Sequence, residues 1–238
     1  SVVISRFPIL NSRSWLAGAD LGPYGDPGGR FTRDLFEAEM AVPGWHRPLR
    51  LFVAHLKSGQ DATSATRRAA EAGAISNFLA RMLPAGGTTP YVLAGDFNED
   101  VLQPPARSGG HPGIVPVLAN DATGLRLTTP FNPVSGEAVT FSIRADLIRR
   151  YDYILPSGVL WSNVVASQVF RTDLQTPLPA GLLAGDDRRA SDHLPVLMTF
   201  GAEPANPLHV RWRRDDQGWR LTWPRGEGRD ALEVSPDL

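Results

Sequence analysis

The chain of 238 residues is 42% hydrophobic and 21% charged, with a net charge of −1, which allows one substantial buried core and a small appendage. It has no cysteine, which excludes a disulfide framework, a thiolate metal site and a thiol nucleophile but leaves the compartment open. The charge balance argues against a broad polybasic face that would grip nucleic acid non-specifically, and no run of about 18 apolar residues could span a membrane.

In chain order, Ser1-Val2-Val3-Ile4-Ser5-Arg6-Phe7-Pro8-Ile9 reads as a strand stopped by a proline. With no initiator methionine and no signal peptide, it reads as an internal strand exposed by truncation. Residues 11–30, crowded with Gly, Pro and Asp, read as a loop. Leu35 to Val42 and Leu49 to Leu56 read as strands. Thr63 to Leu83 is the clearest helix, with Ala70, Ala74, Ile75, Phe78, Leu79 and Met82 on one stripe and arginines opposite, ended by Pro84 and Gly86-Gly87. A strand follows at Tyr91 to Ala94, then a Pro/Gly-rich loop around 103–116. Short strands are expected at Val139 to Ser142, Tyr151 to Leu155, Val164 to Phe170 and Leu194 to Phe200. No internal repeat is evident. Such a mixture suggests sheets packed face to face with helices outside. At the far end, His209 to Pro224 alternates apolar and polar residues about a turn at Asp215-Asp216-Gln217-Gly218, the pattern of a hairpin. The arginine pairs Arg67-Arg68, Arg149-Arg150 and Arg188-Arg189 read first as solvated faces, with phosphate contact as the alternative. Lys57 is the only lysine.

The polar residues that demand explanation stand at strand ends. Asp96 and Asn98 follow the apolar run Tyr91-Val92-Leu93-Ala94 and could share a metal or a polarised oxygen. The plainer alternative is a turn in which Asp and Asn bond their own backbone. Asp192-His193 offers a hard oxygen ligand beside a titratable base, or an ordinary loop pair. His55 ends an apolar strand. Asp152 sits inside Tyr151-Asp152-Tyr153-Ile154-Leu155, where a carboxylate needs a partner, and an imidazole whose tautomer it fixes is a good one.

Four ordered segments carry a resemblance: His55-Leu56-Lys57-Ser58, Gly95-Asp96-Phe97-Asn98-Glu99-Asp100, Thr140-Phe141 with Tyr151 to Leu155, and Ser191-Asp192-His193-Leu194-Pro195-Val196. Together they resemble the endonuclease/exonuclease/phosphatase superfamily, which includes pancreatic-type deoxyribonucleases, abasic-site endonucleases, sphingomyelinases and inositol polyphosphate phosphatases. Ser5 to Ile9 is similar to the family's mid-domain strand. The resemblance implies an α+β fold, a four-layered α/β/β/α sandwich of two mixed sheets, over residues 1–202. It also implies phosphoester hydrolysis with Mg²⁺, or Mn²⁺ or Ca²⁺. Asp192, Asp96 and Asn98 would serve the metal, and His193 would be the general base or a stabiliser of the phosphoryl oxygens. Asp152 would orient His193, Asp96 and Asn98 would position nucleophile and phosphate, and His55 would be an acid or a phosphate-binding donor.

The family's first strands carry an asparagine and a metal-binding glutamate that no residue here matches. Both are expected before Ser1, so the chain is expected to lack the first third of the catalytic domain and to be poorly active as it stands. Residues 203–207 read as a linker. Residues 208–238 resemble the opening strands of a fibronectin-like β module found after bacterial extracellular hydrolases, or a hairpin appendage, which tilts localisation towards secretion. The expected substrate is a phosphoester, nucleic acid among the choices, and no feature points to a protein partner. The alternatives are a sphingomyelinase-like or phosphomonoesterase activity, or a non-catalytic binding or adhesion protein that keeps the fold.

Overall fold

The computed structural model describes residues 1–83, 87–103, 113–141, 147–201, 211–215 and 218–222, the last two segments by backbone alone. The chain divides into two compact units, Ser1–Pro204 and Ala205–Leu238. In the first, a mixed sheet runs in the order β1 (Ile9–Ser14), β2 (Leu35–Met40), β3 (Leu49–Ala54), β4 (Tyr91–Asp96) and β5 (Asp152–Pro156). Only β3 and β4 are parallel. Their crossover is helix α1 (Ala62–Met82), as parallel neighbours require a long connection. A second, antiparallel sheet pairs β6 (Val164–Val169) with β7 (Val196–Phe200). Two sheets with helices are the sandwich expected from the sequence, the smaller one being antiparallel rather than mixed in its described part.

Helix α1 begins where Asp61 accepts a hydrogen bond from the Ser64 N–H at 2.9 Å, capping one of the first turn's free amides. Its apolar stripe, Ala70, Ala74, Ile75 and Leu79, packs with Phe52, Leu93, Tyr153 and Leu155 of the sheet in one core. Two of its charged residues are also on the inward side: Arg68 and Glu71 are fully buried, and Arg150 is nearly so. The pair Arg188-Arg189 is exposed as expected, whereas Arg68 and Arg150 are not part of solvated faces. Burial is possible because backbone groups partner these side chains, as the site shows below.

The first strand differs from expectation. Ser1 to Pro8 form no strand, and β1 starts at Ile9 and runs through residues 11–14 of the expected loop. All six of its side chains are exposed, so its pairing with β2 leaves no hydrophobic alternation to read, while Val2 and Ile4 carry apolar signal without burial (78% and 94% exposed). Around Val139 to Ser142, Phe141 makes only isolated bridges, to Arg149 and to His193; Ser142 lies outside the described residues. A short helix α2 (Ile114–Leu118) buries Ile114, Val115 and Leu118 at the end of the expected 103–116 loop, whose residues 104–112 lie outside the description, as do Pro84 to Gly86 of the expected helix stop. In the second unit, β8 (Arg211–Asp215) and β9 (Gly218–Thr222) pair antiparallel as the expected hairpin, with Asp216 and Gln217 outside the description.

Candidate active site

The site begins with a close approach of backbones. Gly95 has φ +147°, and a Cβ there would stand 1.8 Å from the Ala54 carbonyl oxygen, so only glycine lets β4 run so near β3. Just beyond, the Leu56 N–H donates to the Asp96 carbonyl at 3.0 Å. The chain leaving β3 is thus laid against the end of β4, and His55 Nε2 lies 3.3 Å from Asp96 Oδ2. On the other side, Asp96 of β4 is the direct register partner of Asp152 of β5. The two carboxylates that the sequence places far apart meet where β4 ends and β5 begins.

Asn98 takes a left-handed backbone (φ +53°). Its N–H donates to Asp96 Oδ1 at 2.8 Å, and its side-chain amide donates to Asp96 Oδ2 at 3.0 Å and to the Leu56 carbonyl at 3.2 Å. The self-bonded Asp–Asn turn weighed above is therefore present, and it lies inside the site rather than instead of it.

His193 is fixed by its neighbours. Its N–H donates to Ser191 Oγ at 3.0 Å, Leu194 N–H donates to the Thr140 carbonyl at 2.7 Å, and its ring packs 4.8 Å from that of Phe141. His193 Nδ1 meets Asp152 Oδ2 at 2.8 Å, and the Thr140 hydroxyl donates to the same oxygen at 2.6 Å. A carboxylate only accepts, so Nδ1 carries the hydrogen and the neutral ring presents a lone pair at Nε2. That nitrogen lies 3.9 Å from Asp96 Oδ2.

The electrostatics separate the two histidines. The hydrogen bond that His193 donates to Asp152 raises His193 above its ordinary value, whereas burial, followed by the Arg33 guanidinium and His193, lowers His55. Burial, with Asp152 adding its repulsion, pushes Asp96 up to about 6. Asp96, Asp152 and His193 offer ligand atoms that all lie within 4.8 Å of one another. A buried carboxylate strained by a second one is what a nearby cation would relieve, and the oxygen-rich donor set suits a hard divalent ion. Asp192 is exposed beside His193 and stands outside this group.

Two neighbours were not singled out from the sequence. Thr140, whose hydroxyl also accepts from the Tyr151 and Asp152 N–H groups at 3.1 and 3.2 Å, orients the Asp152 carboxylate. Its place beside Phe141 in the third segment was the available signal. Arg33 donates through Nη1 to the carbonyls of His55 and Leu56, both at 3.1 Å, and nothing in the pattern around it marks it out.

A histidine held by a carboxylate beside a second acidic group at the strand ends is the arrangement that proton transfer next to an anion or cation requires. The sequence profile of the endonuclease/exonuclease/phosphatase family matches residues 1–193, and the chain belongs to that family, whose enzymes use divalent metals. The chain is similar in fold to an endonuclease/exonuclease/phosphatase protein from Beutenbergia cavernae, with TM-score 0.56, 22% identity, and coverage of 94% of this chain and 54% of that one. It is also similar to a 3′ phosphatase from Neisseria bound to a product DNA hairpin (TM-score 0.51, 20% identity, 83% and 73% coverage). A third likeness is to a β-toxin from Staphylococcus aureus (TM-score 0.50, 15% identity, 83% and 66% coverage). The chain spans about half the length of the Beutenbergia protein. No curated protein matches it in sequence.

Proposed function

We propose that the intact protein is a divalent-metal-dependent phosphodiesterase acting on nucleic acid. The observation that carries this reading is the Asp152–His193 pair, whose free Nε2 stands at the edge of the Asp96 carboxylate. His193 Nε2 takes the proton of the attacking water while the water oxygen bonds to phosphorus, and Asp152 stabilises the resulting imidazolium. The bond from phosphorus to the leaving oxygen breaks, and His55, against Asp96, is placed to donate a hydrogen to the leaving or a phosphoryl oxygen. Asp96 and Asn98 hold the nucleophile and phosphate in register. Asp96, with Asp152 or Asp192, would hold the cation, which when bound neutralises charge on the phosphoryl oxygens. Magnesium is the ion we propose, with manganese as a substitute. Nucleic acid as substrate accords with the DNA product held by the similarly folded Neisseria phosphatase.

The test is cleavage of supercoiled plasmid by the intact protein, compared with hydrolysis of p-nitrophenyl phosphate, each with Mg²⁺, Mn²⁺ or EDTA. Nicking that needs the metal and outpaces monoester hydrolysis is expected. Plasmid left whole under every metal, or cleaved equally in EDTA, overturns the proposal.

A further inference from the structure

Beneath the site, helix α1 turns two fully buried charged side chains, Arg68 and Glu71, towards the strand-end segments. They stand three positions apart, so they are neighbours on one helix face. Glu71 Oε1 accepts from the Thr32 N–H at 2.8 Å, and its Oε2 accepts from the Lys57 N–H at 2.7 Å. Arg68 Nη1 donates to the Lys57 and Gly59 carbonyls, both at 2.8 Å. Its Nε lies 3.7 Å from Oε2 of Glu99, a buried carboxylate whose Oε1 accepts from the Ile114 N–H at 2.7 Å.

Both backbone groups of Lys57 are thus held by buried charges of α1. The two preceding carbonyls, those of His55 and Leu56, are held by Arg33, and Arg33 follows Thr32, which is the other partner of Glu71. Glu71 therefore fixes two segments at once, one carrying Arg33 and the other His55. An ionised carboxylate so buried is costly to desolvate and persists only where its acceptors are matched. A simple turn after β3 would not require it.

We propose that Glu71 is a positioning residue for His55, setting the imidazole against Asp96 through the Lys57 amide and, by way of Thr32, through Arg33. The proposal rests on the phosphodiesterase reading for its effect on turnover. Glu71→Gln is the sharp perturbation: the side chain keeps its shape, but one acceptor becomes an amide group that donates, so only one of the two N–H groups retains a partner.

The experiment is a double-mutant cycle on the intact protein, using Glu71→Gln, His55→Ala and the pair, with bis-p-nitrophenyl phosphate and Mg²⁺. Glu71→Gln should lower kcat by about 10-fold or more with KM little changed, because a misplaced group costs the chemical step. In the His55→Ala background the same substitution should have almost no effect, since residues acting through one another are not additive. Equal effects in both backgrounds would overturn the proposal and leave Glu71 a stabilising residue only. A second readout separates this outcome from a failure of the functional reading. In NMR at fixed pH the His55 ring signal should shift or broaden in Glu71→Gln while that of His46 does not, whether or not the protein turns over this substrate. An unmoved His55 signal overturns the proposal even if the parent is active. A parent that hydrolyses nothing overturns the phosphodiesterase reading, and the NMR result then decides the positioning role.

Discussion

Replacing Asp152 by asparagine keeps the size of the side chain and removes the charge that His193 faces. Two donors converge on Asp152 Oδ2, the Thr140 hydroxyl at 2.6 Å and His193 Nδ1 at 2.8 Å. If the asparagine turns its oxygen to them, the bonds survive without charge. If it turns its NH₂, His193 must place its hydrogen on Nε2 and can no longer accept a proton there. A hydrogen bond to a charged group contributes about 1.5–3 kcal/mol against about 0.5–1.5 for a neutral one. His193 is only half-buried, so solvent screening reduces the loss to about 1 kcal/mol or less. The kinetic effect is larger, roughly 10²–10⁴-fold in kcat, because basicity and tautomer both suffer. KM should hardly change, since Asp152 touches the imidazole rather than the substrate.

The pH dependence has a definite sign. The Asp152 hydrogen bond raises the folded-state pKa of His193 above 6.5, so its stabilisation is complete below that value and fades as pH rises through the folded-state pKa. The variant should therefore lose more thermal stability near about pH 5.5 than near about pH 8, by roughly 2–4 °C at most for a domain of this size. The assays are kcat and KM on bis-p-nitrophenyl phosphate with Mg²⁺, and melting in EDTA at the two pH values. A kcat equal to the parent's, with the same melting difference at both pH values, would refute the role given to Asp152.

Three further outcomes are expected. Asp96 is pushed up to about 6 from 3.8, so the metal-free fold should weaken as pH rises from about 4 to about 6, by up to about 3 kcal/mol. Asp96→Asn should remove that slope in EDTA melting curves. The same variant should lose the rise in thermal midpoint that Mg²⁺ gives the parent, and an identical rise would exclude Asp96 from holding the cation. Gly95→Ala drives a methyl group into the Ala54 carbonyl and should destabilise by about 3 kcal/mol or more in urea unfolding; a loss within error would show that β3 and β4 can part freely.

What the sequence makes legible follows from where the signal resides. Helix α1 and strands β2 to β5 stand out because apolar residues survive on the faces that enter the core, and β6 and β7 are legible as short apolar runs although only Val169 of them is buried. Asp96, Asp152 and His193 stand out because polar groups interrupt such runs, and register then places Asp96 opposite Asp152. Strand β1 is silent because it contributes backbone pairing and buries no side chain. Arg68 and Glu71 mislead because charged residues on a helix are read as solvated, whereas Glu71 accepts from the Thr32 and Lys57 amides and Arg68 Nη1 donates to the Lys57 and Gly59 carbonyls. Those contacts depend on loops brought together by the fold, and no spacing encodes them. The segment holding Thr140 is legible, but its role emerges only in the fold, where its hydroxyl reaches Asp152 once β5 lies beside it.

The most direct test of the account is the metal dependence of phosphodiester hydrolysis with and without the His193 imidazole. The intact protein should turn over bis-p-nitrophenyl phosphate with Mg²⁺ or Mn²⁺ and stop in EDTA, and His193→Ala should stay folded, its thermal midpoint lowered by only about 2–4 °C, while losing roughly 10²–10⁴-fold in kcat. Turnover by a folded His193→Ala protein equal to that of its parent would contradict the mechanism at its centre.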